Sequence, residues 1–117
     1  MKKINIVKKS MDFTRIIKTK VPCKNRLFVI YKEDSDDVYK FGITVSKKIG
    51  NAVTRNRIKR QIKSIIDKKH YKNNFNCIII IRKDILNKSY EEISNELYYL
   101  FRKMGIFKEE LWKLKDC

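Results

Sequence analysis

The sequence predicts an α+β protein, organised as a two-layer α/β sandwich with a small mixed sheet. Two stretches of alternating apolar residues predict strands, and the run Cys77–Ile81 predicts a strand that is buried on both faces. Apolar residues recur at helical spacing in three other stretches. The predicted order is α-β-β-α-β-α, with one further short strand near Val21–Lys24, and 117 residues make about one domain.

The N-terminal region predicts a flexible basic arm, residues 1–9, followed by a short helix. Ser10 is the expected N-cap, and Asp12 in the first turn suits the positive end of the helix dipole. The helix is expected to end near Thr19. Its apolar stripe consists of Phe13, Ile16 and Ile17.

The next region predicts two strands, Arg26–Lys32 and Val38–Ser46, joined by an acidic turn at Glu33–Asp37. Four carboxylates in five residues could bind a hard cation, but a solvated hairpin tip is the favoured interpretation. Gly42 lies inside the second strand. Such a glycine indicates either close approach by another molecule or a bulge, and the sequence leaves both open.

A strong helical pattern runs from Thr54 to about Lys69. Its apolar stripe is Ile58, Ile62, Ile65 and Ile66, and its opposite side carries Asn56, Arg57, Arg60 and Lys63. Ser89–Glu92 is a capping box that opens the last long helix, and Gly105 is expected to end it. Residues 107–115 are expected to add a final turn or short helix that buries Leu111, Trp112 and Leu114.

Charge is the feature that bears most directly on function. The chain has 29 basic and 13 acidic residues, for a net charge of +16. Self-repulsion on this scale opposes compaction, and nucleic acid is its usual counterpart. An anionic membrane surface and a merely solvated basic shell are the alternatives. The segment Lys40–Lys63 concentrates the charge, with eight Lys or Arg residues and no Asp or Glu.

The position of this charge is unfavourable for an isolated helix. Arg55 and Arg57 lie near the predicted helix N-terminus, where a cation costs about 0.3–1 kcal/mol. A phosphate bound at that end would make the same arginines stabilising, because backbone N–H groups and guanidinium groups then converge on one anion. Lys47 and Lys48 add charge beside it. The pattern therefore predicts a phosphate-binding surface.

Several other functions receive no support from the sequence. Three cysteines without CxxC spacing predict neither a disulfide framework nor a zinc site, and they fit a reducing cytoplasm. The N-terminus lacks the apolar run of a signal peptide, and the longest apolar run is too short to span a bilayer. The acidic residues are scattered and His70 stands alone, so no catalytic residue and no metal ligand is predicted.

The segment from Phe41 to Lys63, FGITVSKKIGNAVTRNRIKRQIK, resembles the signature region of the bacterial ribonuclease P protein component. The matching groups are Gly42, Thr44, Ser46-Lys47-Lys48, Gly50-Asn51-Ala52-Val53, Arg55-Asn56-Arg57 and Lys59-Arg60. Weaker similarity continues through Asp12-Phe13, the first long strand and the run Ile78–Arg82. The similarity covers nearly the whole chain.

The resemblance implies the small subunit of a ribonucleoprotein that removes the 5′ leader from precursor tRNA. In that family the RNA subunit carries the chemistry with bound magnesium, and the protein holds no cofactor of its own. The implied partners are the catalytic RNA and the leader, with neither membrane nor DNA expected. The family's strand–helix–strand unit has a left-handed crossover, whereas a right-handed one is the general rule.

The resemblance also implies two sets of binding residues. Residues that would bind the catalytic RNA are Lys47, Lys48, Asn51, Arg55, Asn56, Arg57, Lys59, Arg60 and Lys63. Residues that would bind the single-stranded leader are Phe13, Ile17, Tyr31, Lys40, Thr44 and Ser46. Ile17 stands where relatives often have a second Phe, so one stacking surface is missing. Stacking contributes about 1–3 kcal/mol per base, and weaker leader discrimination is expected.

Two alternative functions are also compatible with the sequence. A structural RNA-binding protein of ribosomal type would use the same basic surface without a substrate role. A nuclease acting alone would cut RNA in the absence of any RNA subunit.

Overall fold

The computed structural model describes residues 1–108 as a four-stranded mixed sheet with three α-helices. The α+β class, the mixed sheet and the element order are as predicted. The final turn or short helix predicted for residues 107–115 lies, from residue 109 onward, outside the described residues. The elements are α1 (Ser10–Thr19), β1 (Cys23–Lys24), β2 (Phe28–Asp34), β3 (Lys40–Val45), α2 (Ala52–Asp67), β4 (Phe75–Ile81) and α3 (Tyr90–Met104).

The strands lie in the order β1-β2-β4-β3. Strand β4 is antiparallel to β2 and parallel to β3, and its Ile79 faces Ile30 on one side and Ile43 on the other. The predicted hairpin between β2 and β3 is therefore wrong. Because β4 is apolar on both faces, it is most stable in the middle of the sheet, where it separates the two strands. The left hand of the β3–α2–β4 crossover stays a prediction.

The acidic segment is consequently not a hairpin tip. Glu33 and Asp34 are the last residues of β2, and three of the four carboxylates of the segment have a side-chain partner. Arg15 and Asn76 contact Glu33, Lys32 lies 3.1 Å from Asp34, and Lys40 lies 3.2 Å from Asp37. Across residues 1–108, no three His, Cys, Asp or Glu side chains converge as metal ligands.

The main core lies between the sheet and helices α2 and α3. The four isoleucines of the α2 stripe are buried, as predicted, and each buried side chain of this size contributes about 1.5–3 kcal/mol. The same core contains a cluster of contacting aromatic rings that includes Phe41, Tyr71 and Phe101. On the other sheet face, α1 packs over Ile78, which adds a helix outside the two predicted layers.

The ends of α2 and α3 follow from local sequence. The Asn51 side chain accepts a hydrogen bond from the Thr54 N–H at 2.9 Å, so α2 begins two residues earlier than predicted. The capping box at Ser89 and Glu92 is present with both hydrogen bonds. Gly105 has φ of 67° in the left-handed region and ends α3, as predicted.

The N-terminal segment differs from prediction. Lys9, rather than Ser10, precedes the first helical turn, and no side chain caps α1. The expected flexible arm instead lies along the outer edge of β3, where the Val7 N–H donates to the Phe41 carbonyl at 3.0 Å. Val7 and Asn5 are buried there, and Asn5 donates to the Tyr39 carbonyl at 2.7 Å. These contacts satisfy an edge that would otherwise be open.

No helix within residues 1–108 has the length and apolar character needed to cross a membrane.

Candidate nucleic-acid interface

The predicted RNA-subunit residues form one continuous segment of structure at the end of β3. A 3-10 helix, Lys47–Ile49, follows the strand, and the Ser46 side chain accepts a hydrogen bond from the Lys48 N–H at 3.1 Å. Helix α2 begins three residues later. We call this set the basic surface; it consists of Lys47, Lys48, Asn51, Arg55, Asn56, Arg57, Lys59, Arg60 and Lys63.

Two members of the basic surface also support the fold. The Asn51 side-chain oxygen is occupied as the α2 cap. Arg55 is half-buried, and its Nε donates to the Gly50 carbonyl at 3.2 Å. These bonds fix the loop between the 3-10 helix and α2. The remaining N–H donors of the Arg55 guanidinium can still reach an anion at the helix end.

The other members are displayed to solvent. Lys59 is half-buried, and six are exposed: Lys47, Lys48, Asn56, Arg57, Arg60 and Lys63. Among the described residues, none of the seven lysines and arginines of the basic surface forms a salt bridge. By contrast, Arg15, Lys32, Lys40 and Lys88 elsewhere each pair with a carboxylate. The basic surface therefore concentrates seven cations without a salt-bridge partner within residues 1–108.

One neighbour of these cations was not predicted as part of the site. Val53, in the first turn of α2, is 76% exposed, although an apolar side chain gains nothing from water contact. Its identity was visible within the matching Gly-Asn-Ala-Val group, but only the structure shows that the side chain points outward. It places an exposed apolar side chain beside the cations of the basic surface.

The predicted leader residues fall on the second face of the sheet. Phe13 and Ile17 of α1 and Tyr31 of β2 pack around the buried Ile78. All three are half-buried, so each retains surface beyond its packing contacts. We use the name α1 cleft for the surface formed by these three residues and the adjoining face of β3. The structure thus brings the predicted aromatic and apolar leader residues together.

Gly42 lies directly beneath Phe13. A Cβ atom built on Gly42 would lie 2.5 Å from the Phe13 Cζ atom and 2.9 Å from the Ile78 Cδ1 atom. The register between β3 and β4 is unbroken across this position, so no bulge is present. The bulge is therefore wrong, and within this chain the close approach to Gly42 is made by the first helix.

The remaining leader residues extend along β3. Lys40, Thr44 and Ser46 alternate with the core-facing residues and share the second face with Gly42. Lys40 is paired with Asp37, and the pKa of the Asp37 carboxyl is held below its usual range by the Val38 N–H and by Lys40. The Ser46 hydroxyl is occupied as the cap described above.

A groove of about 330 Å³ adjoins the Lys40 end of the cleft. It is lined by the N-terminal segment, by Asp12 and by Lys40 and Asn76. Lys3, Lys8 and Lys9 contribute three exposed cations to it. The sequence predicted that these lysines lie in a flexible arm. The apolar pair Ile6-Val7, which anchors the segment to β3, was the signal that the segment packs against the sheet.

His70 is exposed just beyond the end of α2, the position that the sequence predicted for it.

Fold and surface together define a small α+β protein with a cationic helix end that forms no salt bridge within residues 1–108, and a separate half-buried apolar face under α1. The family model described as Ribonuclease P matches residues 1–105. The ribonuclease P protein component of Bacillus pumilus is 40% identical over 114 residues, covering 94% of this chain and 96% of that protein. The Mycoplasma mycoides protein of the same name is 40% identical over 113 residues, covering 89% and 99%.

Solved structures agree with the sequence comparisons. The Staphylococcus aureus RNase P protein superposes with a TM-score of 0.80 at 35% identity, covering 91% of this chain and all of that one. The Thermotoga maritima RNase P protein gives a TM-score of 0.72 at 25% identity, covering 79% and 90%. The chain belongs to the ribonuclease P protein component family.

Proposed function

We propose that this chain is the protein subunit of a ribonuclease P ribonucleoprotein, which removes the 5′ leader from precursor tRNA by endonucleolytic cleavage. The RNA subunit, with its magnesium, performs the chemistry, and the protein binds RNA and substrate. The observation that supports this proposal most strongly is the unneutralised basic surface at the start of α2, in a chain of this family.

The basic surface would bind the catalytic RNA. Its exposed cations are mounted on a capped helix and a capped 3-10 helix, so they are positioned before RNA arrives. Preorganised charge loses little conformational entropy on binding. Phosphates at this end would also meet the free N–H groups of the first turn of α2. Binding therefore removes the repulsion that these residues impose on the free protein.

The α1 cleft would hold the single-stranded leader. Phe13 and Tyr31 offer aromatic surface, and Thr44 offers a hydroxyl on the strip between them and the 3-10 helix. Single strands bind by stacking on aromatic groups beside a cationic path for the backbone. Lys40 and the lysines of the N-terminal groove would supply that path. Ile17 contributes packing but no stacking surface.

With one surface for the RNA subunit and another for the leader, the protein could assist cleavage without a catalytic residue of its own. The protein would screen phosphate repulsion between the two RNAs and hold the leader in place, and so reduce the magnesium that cleavage requires. In this proposal the protein binds no cofactor itself.

The RNA that co-purifies with the protein distinguishes this function from its alternatives. The tagged chain is expressed in its host, isolated at low salt, and the bound RNA is sequenced. Enrichment of ribonuclease P RNA and precursor tRNA supports the proposal, whereas recovery dominated by ribosomal RNA supports a structural ribosomal-type protein. Cleavage of RNA by the purified, RNA-free protein with added metal would support a nuclease acting alone.

A further inference from the structure

A second cationic site lies at the end of the sheet, outside both surfaces described above. A cleft of about 440 Å³ opens between the turn that precedes β2 and the residues that follow β4. We call it the sheet-end cleft. It is lined by Lys24, Asn25, Arg26, Arg82, Lys83 and Asp84.

The floor of the sheet-end cleft is rigidly built. The Asn25 side-chain oxygen accepts from the N–H groups of Leu27 and Phe28, both at 3.0 Å. The Asn25 side-chain nitrogen donates to the Glu96 carboxylate at 2.9 Å, which ties the turn to α3. From the other side, the Arg82 guanidinium donates to the Asn25 carbonyl at 3.0 Å. The turn therefore presents Arg26 from a fixed backbone.

The charge of the cleft is almost uniform. Four cations line it against one carboxylate, Asp84, and none of these five groups forms a salt bridge within residues 1–108. Two acids of α3, Glu92 and Glu96, lie near Arg26 and already have other partners. Glu92 accepts from the Ser89 N–H and lies 3.9 Å from the Lys88 ammonium, and Glu96 accepts from the Asn25 side chain. The cations of the cleft thus form no ion pair within residues 1–108, like those of the basic surface, and outnumber the one acid that lines the cleft.

The sheet-end cleft is continuous with the basic surface. Val45 is paired with Ile81 in the parallel β3–β4 register, so Ser46 and Arg82 leave the sheet side by side. The 3-10 helix that carries Lys47 and Lys48 packs against the 3-10 helix Lys83–Asn87. A polyanion bound along the basic surface would therefore meet the sheet-end cleft next.

We infer that the sheet-end cleft binds the phosphodiester backbone of the ribonuclease P RNA and extends the docking surface of the protein across the end of the sheet. This inference rests on the proposed function. The cleft has no aromatic lining residue, so it suits the backbone of a folded RNA better than an unpaired leader, whose bases need stacking partners. Arg26 and Lys83 are the contact residues. Arg82 holds the turn through its bond to the Asn25 carbonyl and adds a further positive charge to the cleft.

The test compares two charge-matched double variants. R26Q/K83Q removes two exposed cations from the cleft and leaves the Arg82 bond in place. K72Q/R102Q removes the same charge from exposed positions near the opposite end of the sheet, where Lys72 precedes β4 and Arg102 lies in the last turn of α3. Binding to the host ribonuclease P RNA is measured as a function of salt, with thermal unfolding as a check on folding.

The inference expects R26Q/K83Q to reduce the log–log salt slope by about 2 and to weaken RNA-subunit binding by roughly 10- to 100-fold at 0.1 M salt. K72Q/R102Q should stay close to wild type. The affinity of the assembled holoenzyme for precursor tRNA should depend on the leader equally in both variants.

Three results would overturn the inference. Wild-type slope and affinity for R26Q/K83Q would reject the cleft alone, with the proposed function intact. Equal losses in both variants would show an effect of net charge. A selective loss of leader affinity would assign the cleft to the substrate instead. Failure of the wild-type protein to bind the RNA would reject the proposed function itself.

Discussion

The Phe13 ring lies on the bare backbone of Gly42, so close that a Cβ atom there would come within 2.5 Å of the ring. This contact sets how near α1 lies to the sheet. Because α1 forms one wall of the α1 cleft and β3 forms its floor, the missing side chain of Gly42 determines the width of the proposed leader site.

Gly42→Ala should therefore change the cleft more than the fold. The colliding atoms are the tip of Phe13 and the end of Ile78, which can shift, so we expect a destabilisation of about 1 kcal/mol. Leader affinity should fall, because the ring can no longer keep its position. Denaturant unfolding and the binding of precursor tRNA with and without leader measure the two effects. A large loss of stability with unchanged leader affinity would contradict this account.

The two proposed surfaces can be separated by single substitutions. Arg57 is exposed. Arg57→Ala should weaken RNA-subunit binding by about tenfold, because the phosphate contact proposed for this side chain would be lost. Phe13→Ala should leave that binding unchanged and reduce leader affinity by about 1–3 kcal/mol. Direct binding assays with the RNA subunit and with precursor tRNA report each value. The reverse pattern would show that the two surfaces have been exchanged.

Salt provides an independent measure of the RNA contact. If about five to eight phosphates are neutralised, the logarithm of the association constant should fall with the logarithm of salt with a slope of roughly −4 to −7. Filter binding between 0.05 and 0.5 M salt, a range of about one decade, is sufficient to define it. A slope near zero would mean that the unpaired cations do not bind phosphate.

Much of the fold could be predicted because its signals are local. The isoleucine stripe of α2, the capping box of Ser89 and Glu92, and Gly105 each act within one or two turns of chain. Strand order depends instead on distant residues. The acidic segment looked like a hairpin tip because the β2 and β3 patterns are adjacent in sequence. The signal that β4 lies between them, its apolar character on both faces, comes only after α2 in the chain.

In the candidate site, too, local features could be predicted and contacts between distant residues could not. The exposed basic residues of α2 were visible as a charge pattern on one helix, and the structure places them where expected. The partner of Gly42 was not visible, since Phe13 lies 29 positions away in the sequence. The N-terminal lysines were misjudged for a similar reason: their charge suggested a free arm, whereas Ile6 and Val7 add the segment to the edge of β3.

The α3 capping box predicts a pH dependence of stability. Hydrogen bonding to the Ser89 N–H holds the pKa of the Glu92 carboxyl below its usual range, with the nearby Lys88 charge as a minor cause. A carboxyl whose pKa is depressed in the folded state stabilises the protein above its unfolded pKa, about 4.3, and this contribution disappears as the pH falls through the folded value.

Glu92→Gln should therefore lower the melting temperature at pH 7, and the difference from wild type should shrink as the pH falls below about 4. Glu91→Gln removes the same charge from the same turn without a capping bond and serves as the control. A difference for Glu92→Gln that stays constant from pH 7 to pH 3, a span of roughly four units, would show that the charged form is not favoured by the cap.

Cleavage of precursor tRNA at low magnesium tests the central claim most directly. The RNA subunit is assayed alone, with the wild-type chain, and with Arg57→Ala, over a magnesium titration. We expect the wild-type chain to shift 5′-leader cleavage to lower magnesium and Arg57→Ala to lose part of that shift. If the wild-type chain leaves both cleavage and substrate affinity unchanged at low magnesium, the chain does not act as the subunit proposed here.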